Sequence, residues 1–175
     1  SGNTDKNNLS TSLAGMGILG HYELLGLTSY HWGQVSDEVD TNRGSAHLRL
    51  SRSLRPIIAV ETFIQTQFNR FQNIERRDLY GLGVRLALVD RQEQTANLGV
   101  GVFFEHELRE DRSTDDLVRG NIYIGYVYGA QSSFVASSTI YYQPYLKSFS
   151  DYRLQLELGL ETKIFNNLLI INSVL

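Results

Sequence analysis

The stretch DYRLQLELGLETKI, residues 151–164, decides the fold, because its side chains alternate in polarity. Tyr152 and the four leucines that follow it lie at even positions, whereas Arg153, Glu157 and Glu161 lie at odd positions. Successive side chains of a β-strand point to opposite faces, while a helix would distribute these leucines around its circumference. The pattern therefore predicts a strand with one apolar and one polar face.

The same two-residue period recurs along the chain, and no long apolar stripe of 3.6-residue period interrupts it. We therefore expect about ten antiparallel strands joined by hairpins. The predicted strands are Leu9–Leu19, Tyr22–Trp32, His47–Ser51, Ile58–Phe68, Leu79–Val89, Thr95–Leu108, Asn121–Tyr128, Phe134–Tyr145, Asp151–Ile164 and one that begins at Leu168.

The segments between these strands alternate in length. Short turns are predicted at Leu19–Gly20, Ser53–Pro56, Asp90–Gln94, Gly129–Ser132 and Phe165–Asn167. Longer polar links are predicted at Gln34–Arg43, Gln72–Arg77, Glu110–Asp116 and Lys147–Ser150. Tight turns at one end and longer loops at the other are typical of an antiparallel up-and-down transmembrane β-barrel, where the short turns face the periplasm.

The length of the strands also favours a membrane. Several have about 11–14 residues, against a usual length of about 5–6. Eleven residues at a tilt near 40° cover roughly 28 Å, close to the apolar band of about 25 Å in outer-membrane barrels. The remaining alternative is a soluble, lipocalin-like ligand-binding barrel, in which the apolar face would point inward.

The polar face favours the membrane over the soluble alternative. It carries charges well inside the predicted strands, with many glycines and few lysines, whereas a solvated outer face has more lysine. We expect this face to line the interior and to form a polar network. Its predicted members are Arg49, Glu61, Arg85, Glu105, Arg153, Glu157 and Glu161.

The composition of the chain excludes several classes of function. The 175 residues suit one domain, and the net charge of −3 argues against nucleic acid as a partner. The absence of cysteine excludes a disulfide scaffold, a thiolate zinc site and a cysteine nucleophile. No apolar run approaches the roughly 18 residues of a membrane helix. The first ten residues, SGNTDKNNLS, lack the features of a signal peptide.

Three stretches of the chain resemble the DUF481 family of salt-induced outer-membrane proteins. They are SGNTDKNNLS at residues 1–10, QTQFNRFQNIERRDLYGLGVRLALVD at residues 65–90 and TANLGVGVFFEHELR at residues 95–109. The resemblance implies a monomeric outer-membrane β-barrel of a Gram-negative bacterium, with no established catalytic activity. Family members usually carry further strands at both ends. We therefore expect residues 1–175 to be a single barrel domain that is incomplete at both ends and has about twelve strands when complete.

The interior charges allow two interpretations. Arg49 is expected to lie nearly opposite Glu61 across the hairpin around Ser53–Pro56, and such a pair offsets part of the cost of desolvation. The set could form a narrow polar or ion-conducting pathway. A filled interior is favoured, because barrels of this size are filled by side chains and water-filled channels belong to larger ones.

The histidines form no recognisable site. None belongs to an HExxH motif, and strand alternation directs His106 away from the adjacent glutamates. His31 with Asp37, Glu38 and Asp40 is the one rim cluster, and it has no nucleophile at a defensible spacing. We therefore predict no enzyme, with no catalytic, metal or cofactor residues.

Lipid is the expected partner. Aromatic residues near strand ends suggest membrane-interface girdles: Tyr22, Tyr30, Trp32, Tyr126, Tyr128, Tyr141, Tyr142 and Tyr145. The adjacent Arg76 and Arg77 could contact lipid phosphates. The acidic segments Ser36–Asn42 and Glu110–Asp116 could bind cations that bridge lipopolysaccharide, although solvated loops are favoured.

The combined prediction is an integral outer-membrane β-barrel with a structural or envelope role, as a narrow pore or as a scaffold for other envelope proteins. Outer-membrane lipid and lipopolysaccharide are its expected partners. An outer-membrane enzyme with a rim active site and a soluble ligand-binding barrel remain the alternatives.

Overall fold

The computed structural model describes residues 6–35, 38–129, 134–165 and 168–174, and it describes no side chain at 38 or 161–174. These residues form one antiparallel sheet in which the order of strands equals their order in the chain. The predicted all-β, up-and-down topology is confirmed. The described strands are β1 (Lys6–Leu19), β2 (Tyr22–Val35), β3 (Glu38–Arg55), β4 (Ile58–Asn69), β5 (Ile74–Asp90), β6 (Gln94–Arg109), β7 (Thr114–Tyr128), β8 (Phe134–Tyr145), β9 (Ser148–Phe165) and β10 (Leu168–Val174).

Strands extend through the segments that were predicted to be long polar links. β2 ends at Val35 and β3 begins at Glu38, and only four residues separate β6 from β7. The predicted alternation of short turns and long loops is therefore wrong. Backbone hydrogen bonds pair two strands whatever side chains they carry. A polar end of a strand therefore has the composition of a loop, and composition alone does not distinguish the two.

The turns are local and tight. Gly20 closes the β1–β2 turn with φ +59°, a left-handed conformation that glycine adopts without steric cost. The β3–β4 turn lies at Pro56–Ile57, later than predicted. Arg91 and Gln94 exchange two backbone hydrogen bonds across the β5–β6 turn. The predicted turns at Gly129–Ser132 and Phe165–Asn167 fall largely outside the described residues.

A single 3₁₀ turn, residues 70–72, joins β4 to β5. The side chain of Asn69 accepts a hydrogen bond from the backbone N–H of Phe71 at 3.1 Å. Asn73 ends the turn in the left-handed conformation, at φ 56°, and its N–H donates to the carbonyl of Arg70. Asparagine tolerates this conformation better than most residues, which explains why the chain turns here. No helix among the described residues is long and apolar enough to cross a membrane.

Strand pairing gives the sheet two chemically different faces. Ile140 pairs with Leu156 and Tyr142 with Leu154, whereas the intervening Thr139 pairs with Glu157. We call the first side the apolar face and the second the polar face. In β3 to β9 the apolar face carries even-numbered residues and the polar face odd-numbered ones.

The chain forms two compact units. The first comprises residues 1–52, 61–82 and 103–118, and its buried residues include Ile74, Leu79 and Phe103. The second comprises residues 53–60, 83–102 and 119–175, and its buried residues include Ala59 and Tyr123.

Candidate functional site on the polar face

An ion-pair cluster occupies the polar face of the first unit. Arg77 Nε donates to Glu107 Oε2 at 2.7 Å and lies 3.3 Å from Glu105 Oε1. Arg109 donates from Nε to Glu107 Oε1 at 3.1 Å and from Nη2 to Asp115 Oδ2 at 3.0 Å. We call these five residues the Arg77 cluster. Charges of opposite sign alternate along it, so each carboxylate meets at least one guanidinium.

Three neighbouring strands supply the Arg77 cluster. Glu105, Glu107 and Arg109 alternate along β6 and therefore share one face. Arg77 comes from β5 and Asp115 from β7. Glu105 is only 1% exposed. A buried carboxylate is tolerated when paired and hydrogen-bonded, so the cluster satisfies the polar groups that the fold buries here.

Aromatic rings fill the polar face beside the cluster. The Phe63 ring lies 6.2 Å from that of Phe103 and stacks on His47 at 5.5 Å. Phe63 also covers Gly81, where a Cβ atom would overlap the ring. His47 Nδ1 is 2.9 Å from Gln65 Oε1. Rings and hydrogen-bonded polar groups thus cover this part of the polar face.

Glu61 has a contact across the β3–β4 hairpin. Ser51 Oγ donates to Glu61 Oε1 at 3.3 Å. Arg49 is on the same face, and its buried Nε has no hydrogen-bond partner among the described residues.

The second unit has its own polar contacts. Arg119 is 3% exposed and donates to both carboxylate oxygens of Asp151, at 3.0 and 3.4 Å. Its guanidinium carbon also lies 5.8 Å from the centre of the Tyr145 ring. Glu157 accepts from Gln155 Nε2 at 2.9 Å and from the Tyr141 hydroxyl at 3.4 Å.

The other predicted network residues lie on the same face. Arg153 pairs with Gln143 in the β8–β9 register, and Arg85 is half-buried in β5. Glu161 belongs to β9, but its side chain is outside the described residues. The sequence reasoning did not assign Arg77, Glu107, Arg109, Asp115, Arg119 and Asp151 to the network. Their odd residue numbers, which place them on the polar face of β5 to β9, are the signal from which they could have been identified.

The adjacent arginines of β5 separate to opposite faces, because successive strand residues point in opposite directions. Arg77 enters the Arg77 cluster, whereas Arg76 is on the apolar face with its side chain 64% exposed. Arg76 Nε lies 2.8 Å from Asp78 Oδ2. The contact of both arginines with lipid phosphates stays a prediction, and only Arg76 is on the apolar face.

The histidines make separate polar contacts. His31 Nδ1 is 3.1 Å from Ser10 Oγ, and His106 Nδ1 is 2.6 Å from Asp116 Oδ1. Asp37 and the side chain of Glu38, which belong to the predicted rim cluster, are outside the described residues. In the described part of the chain, no group of three or more histidine or acidic side chains is arranged to hold a metal ion.

The comparison with protein families gives one match. The model of a family described as "Protein of unknown function, DUF481" matches residues 1–173. No curated protein and no solved structure matches the chain. The resemblance noted from the three sequence stretches is thereby confirmed over nearly the whole chain.

Proposed function

The chain belongs to the DUF481 family of proteins of unknown function, and from this premise we propose that it is an integral outer-membrane β-barrel of a Gram-negative bacterium with a structural role in the envelope. In this proposal the apolar face contacts lipid and the polar face lines a filled interior. The antiparallel sheet with neighbouring strands joined by hairpins supports a barrel, since transmembrane barrels have this topology.

The distribution of exposure over the two faces carries the proposal. Leu82 and Leu154 are each 66% exposed on the apolar face, while Glu105 and Arg119 are buried on the polar face. A water-soluble protein buries its large apolar side chains and leaves its charges outside. The reversed arrangement suits a protein whose apolar face is solvated by lipid.

The same distribution disfavours a soluble ligand-binding barrel. That alternative requires the leucines of β9 to line a pocket and Glu157 to face water. Tyr152, Leu154, Leu156, Leu158 and Leu160 are instead exposed, and Glu157 is half-buried and hydrogen-bonded to Gln155 and Tyr141.

The packing of the interior supports a structural role over an open pore. The Arg77 cluster and the Phe63 and Phe103 rings occupy the polar face of the first unit. Side chains fill small barrels in general. We therefore propose that the interior ion pairs hold the barrel together, so that it can serve as a scaffold for lipid and other envelope components.

Cysteine labelling in vesicles tests the proposal directly, because the chain has no natural cysteine. Leu156 and Glu157 are neighbours in β9 on opposite faces. We expect Leu156→Cys to react with a lipid-soluble maleimide and not with a charged one. Glu157→Cys should react with neither at an appreciable rate. Phe71→Cys, at an exposed position of the 3₁₀ turn, is the control that the charged reagent labels in opened vesicles.

Two outcomes would contradict the proposal. Labelling of Leu156→Cys by the charged reagent as fast as Phe71→Cys would mean that the apolar face is not in lipid. Fast labelling of Glu157→Cys by the charged reagent would mean that the interior is wet, and a pore would replace the filled scaffold.

A further inference from the structure

A groove of about 690 Å³ lies on the apolar face of the first unit. Small residues form its floor, since Gly15, Gly26 and Ala46 come from three adjacent strands. Leu48 and Tyr80 are among the larger side chains that border it. The volume falls within the range of about 300–1,000 Å³ that small-molecule sites occupy. Because glycine and alanine stand at these positions, a depression forms on a face that is otherwise covered by leucine, isoleucine and tyrosine.

The lining of the groove includes two opposite charges. Arg76 and Asp78 lie on β5, two residues apart, and their side chains are 2.8 Å from each other. Arg76 is largely exposed, whereas the Asp78 side chain keeps only 11% exposure. Thr66 lines the groove beside them. The site therefore combines an apolar channel with a positive group and a negative group held side by side.

We propose that this groove binds a phospholipid with a zwitterionic ethanolamine headgroup. An acyl chain lies over Gly15 and Gly26, the lipid phosphate accepts hydrogen bonds from the Arg76 guanidinium, and the lipid ammonium donates to the Asp78 carboxylate. The inference rests on the proposed function, since it requires the apolar face to be in lipid.

Charge complementarity selects this headgroup. An anionic lipid would place its phosphate near the Asp78 carboxylate without a cation of its own to offset the repulsion. Guanidinium groups bind phosphate through paired hydrogen bonds, and a primary ammonium has N–H donors for a carboxylate. A choline headgroup has no N–H donor, so it would satisfy Arg76 but not Asp78.

The chain offers a matched pair of variants for the apolar part of the site. Gly15 and Gly17 lie two residues apart on β1 and therefore on the same face. A Cβ added at either position meets nothing within 4 Å, and only Gly15 lines the groove. Gly15→Leu should fill the groove without a clash, while Gly17→Leu leaves it open. Asp78→Asn tests the ammonium contact without changing the shape of the site.

The experiment uses the chain folded into vesicles of equal parts phosphatidylethanolamine, phosphatidylcholine, phosphatidylglycerol and lipid A, extracted into mild detergent and analysed by native mass spectrometry. We expect about one phosphatidylethanolamine per chain to be retained. Gly15→Leu should reduce this retention at least fivefold, and Gly17→Leu should leave it unchanged. Asp78→Asn should weaken the preference for ethanolamine over choline, because the amide oxygen still accepts a hydrogen bond but carries no negative charge.

Three results would overturn the inference: equal retention by Gly15→Leu and Gly17→Leu, retention of phosphatidylglycerol or lipid A in place of phosphatidylethanolamine, or no retained lipid. Flotation of the vesicles before extraction distinguishes a failure of the groove to bind lipid from a failure of the chain to enter the membrane. A chain that floats with the vesicles and retains no lipid contradicts only the groove, whereas a chain that never floats contradicts the membrane proposal itself.

Discussion

Arg77 pairs with two of the buried carboxylates of the first unit. It contacts both Glu105 and Glu107, which are among the least exposed acidic groups of the described chain. Two carboxylates held this close to each other in a poorly hydrated site repel one another unless a cation separates them. Arg109, which is exposed, pairs with Glu107 and Asp115. The contribution of the two arginines to folding should therefore differ.

Arg77→Met is expected to lower the free energy of unfolding by about 3–5 kcal/mol, because it removes the guanidinium that contacts both buried carboxylates, Glu105 and Glu107. Arg109→Met removes a half-exposed guanidinium and leaves Glu107 paired with Arg77, so its effect should stay below about 1 kcal/mol. Urea unfolding of the two variants in lipid vesicles compares them under the same conditions. Equal losses for both variants would show that Arg77 has no special role.

A second prediction at this scale concerns Asp111 in the β6–β7 turn. Hydrogen bonds from the side chain and the backbone N–H of Ser113, at 2.6 and 2.9 Å, lower the pKa of Asp111 below its usual value of 3.8. A lowered pKa in the folded state means that this contribution to stability is present at neutral pH. It is lost as the pH falls through the folded-state pKa.

An NMR titration of the Asp111 carboxyl carbon measures that midpoint, which should lie below that of the unfolded chain. Ser113→Ala removes the hydroxyl donor and should move the midpoint upward, while the backbone donor remains. An unchanged midpoint in Ser113→Ala would assign the lowered pKa to another cause.

At the scale of the strand, the polar face is packed by rings laid over glycines. Phe63 covers Gly81 in the first unit, and Tyr123 covers Gly99 in the second. In both cases an added Cβ atom would overlap the ring. Glycine is normally unfavourable inside a strand. Because glycine has no side chain, an aromatic ring packs directly against the backbone here, and this contact offsets part of the destabilisation that glycine causes in a strand.

Gly81→Ala should therefore destabilise the protein by about 1–3 kcal/mol, the usual cost of overpacking. Gly125→Ala is the matched control, because its Cβ would meet Thr139 Oγ1 at 3.5 Å, an ordinary contact. Thermal unfolding monitored by near-ultraviolet circular dichroism should show a lower midpoint for Gly81→Ala alone. Equal midpoints for the two variants would mean that Phe63 is free to move aside.

The sequence predicted which segments form strands better than it predicted where those strands begin and end. The alternation of Asp151–Ile164 lies inside β9, whereas the five-residue strand predicted at His47–Ser51 is part of the 18-residue β3. Apolar alternation marks only the part of a strand that contacts a nonpolar environment, while backbone pairing continues beyond it. The polar segment before Gly44 has no such alternation, so its strand could not be recognised.

The sequence predicted which residues of the candidate site share a face of the sheet, but it did not predict which residues they contact. Parity along the strands predicted that Glu105 and Glu157 share the polar face. The partners of Glu105 and Glu61 depend on which residues of adjacent strands come side by side. Glu61, for example, accepts a hydrogen bond from Ser51 across the β3–β4 hairpin. Register follows from turn geometry, and composition alone does not fix it.

For the whole molecule, the environment of the apolar face decides the effect of surface mutations. Leu156 is the middle one of the five exposed apolar residues of β9 that begin with Tyr152. In water, a charge at such an exposed position would change stability by about 0.5 kcal/mol at most. In a bilayer, an arginine near the midplane of a lipid-facing strand costs about 2–4 kcal/mol.

Leu156→Arg is therefore expected to lose about 2–4 kcal/mol of unfolding free energy in vesicles. Phe71→Arg, at an exposed apolar residue of the 3₁₀ turn, should change it by less than about 0.5 kcal/mol. Urea titration of both variants in the same vesicles provides the comparison. A Leu156→Arg variant as stable as Phe71→Arg would contradict a lipid-facing position for β9.

The strand order also has an evolutionary consequence. Each described strand is bonded only to the strands before and after it in the chain. A gene segment encoding two consecutive strands can therefore be duplicated or deleted without threading the chain through itself or reversing any other strand. Relatives of this protein can differ in strand number by whole hairpins while each retained hairpin keeps its own pairing. We expect length variation among homologous genes to occur in steps of two strands.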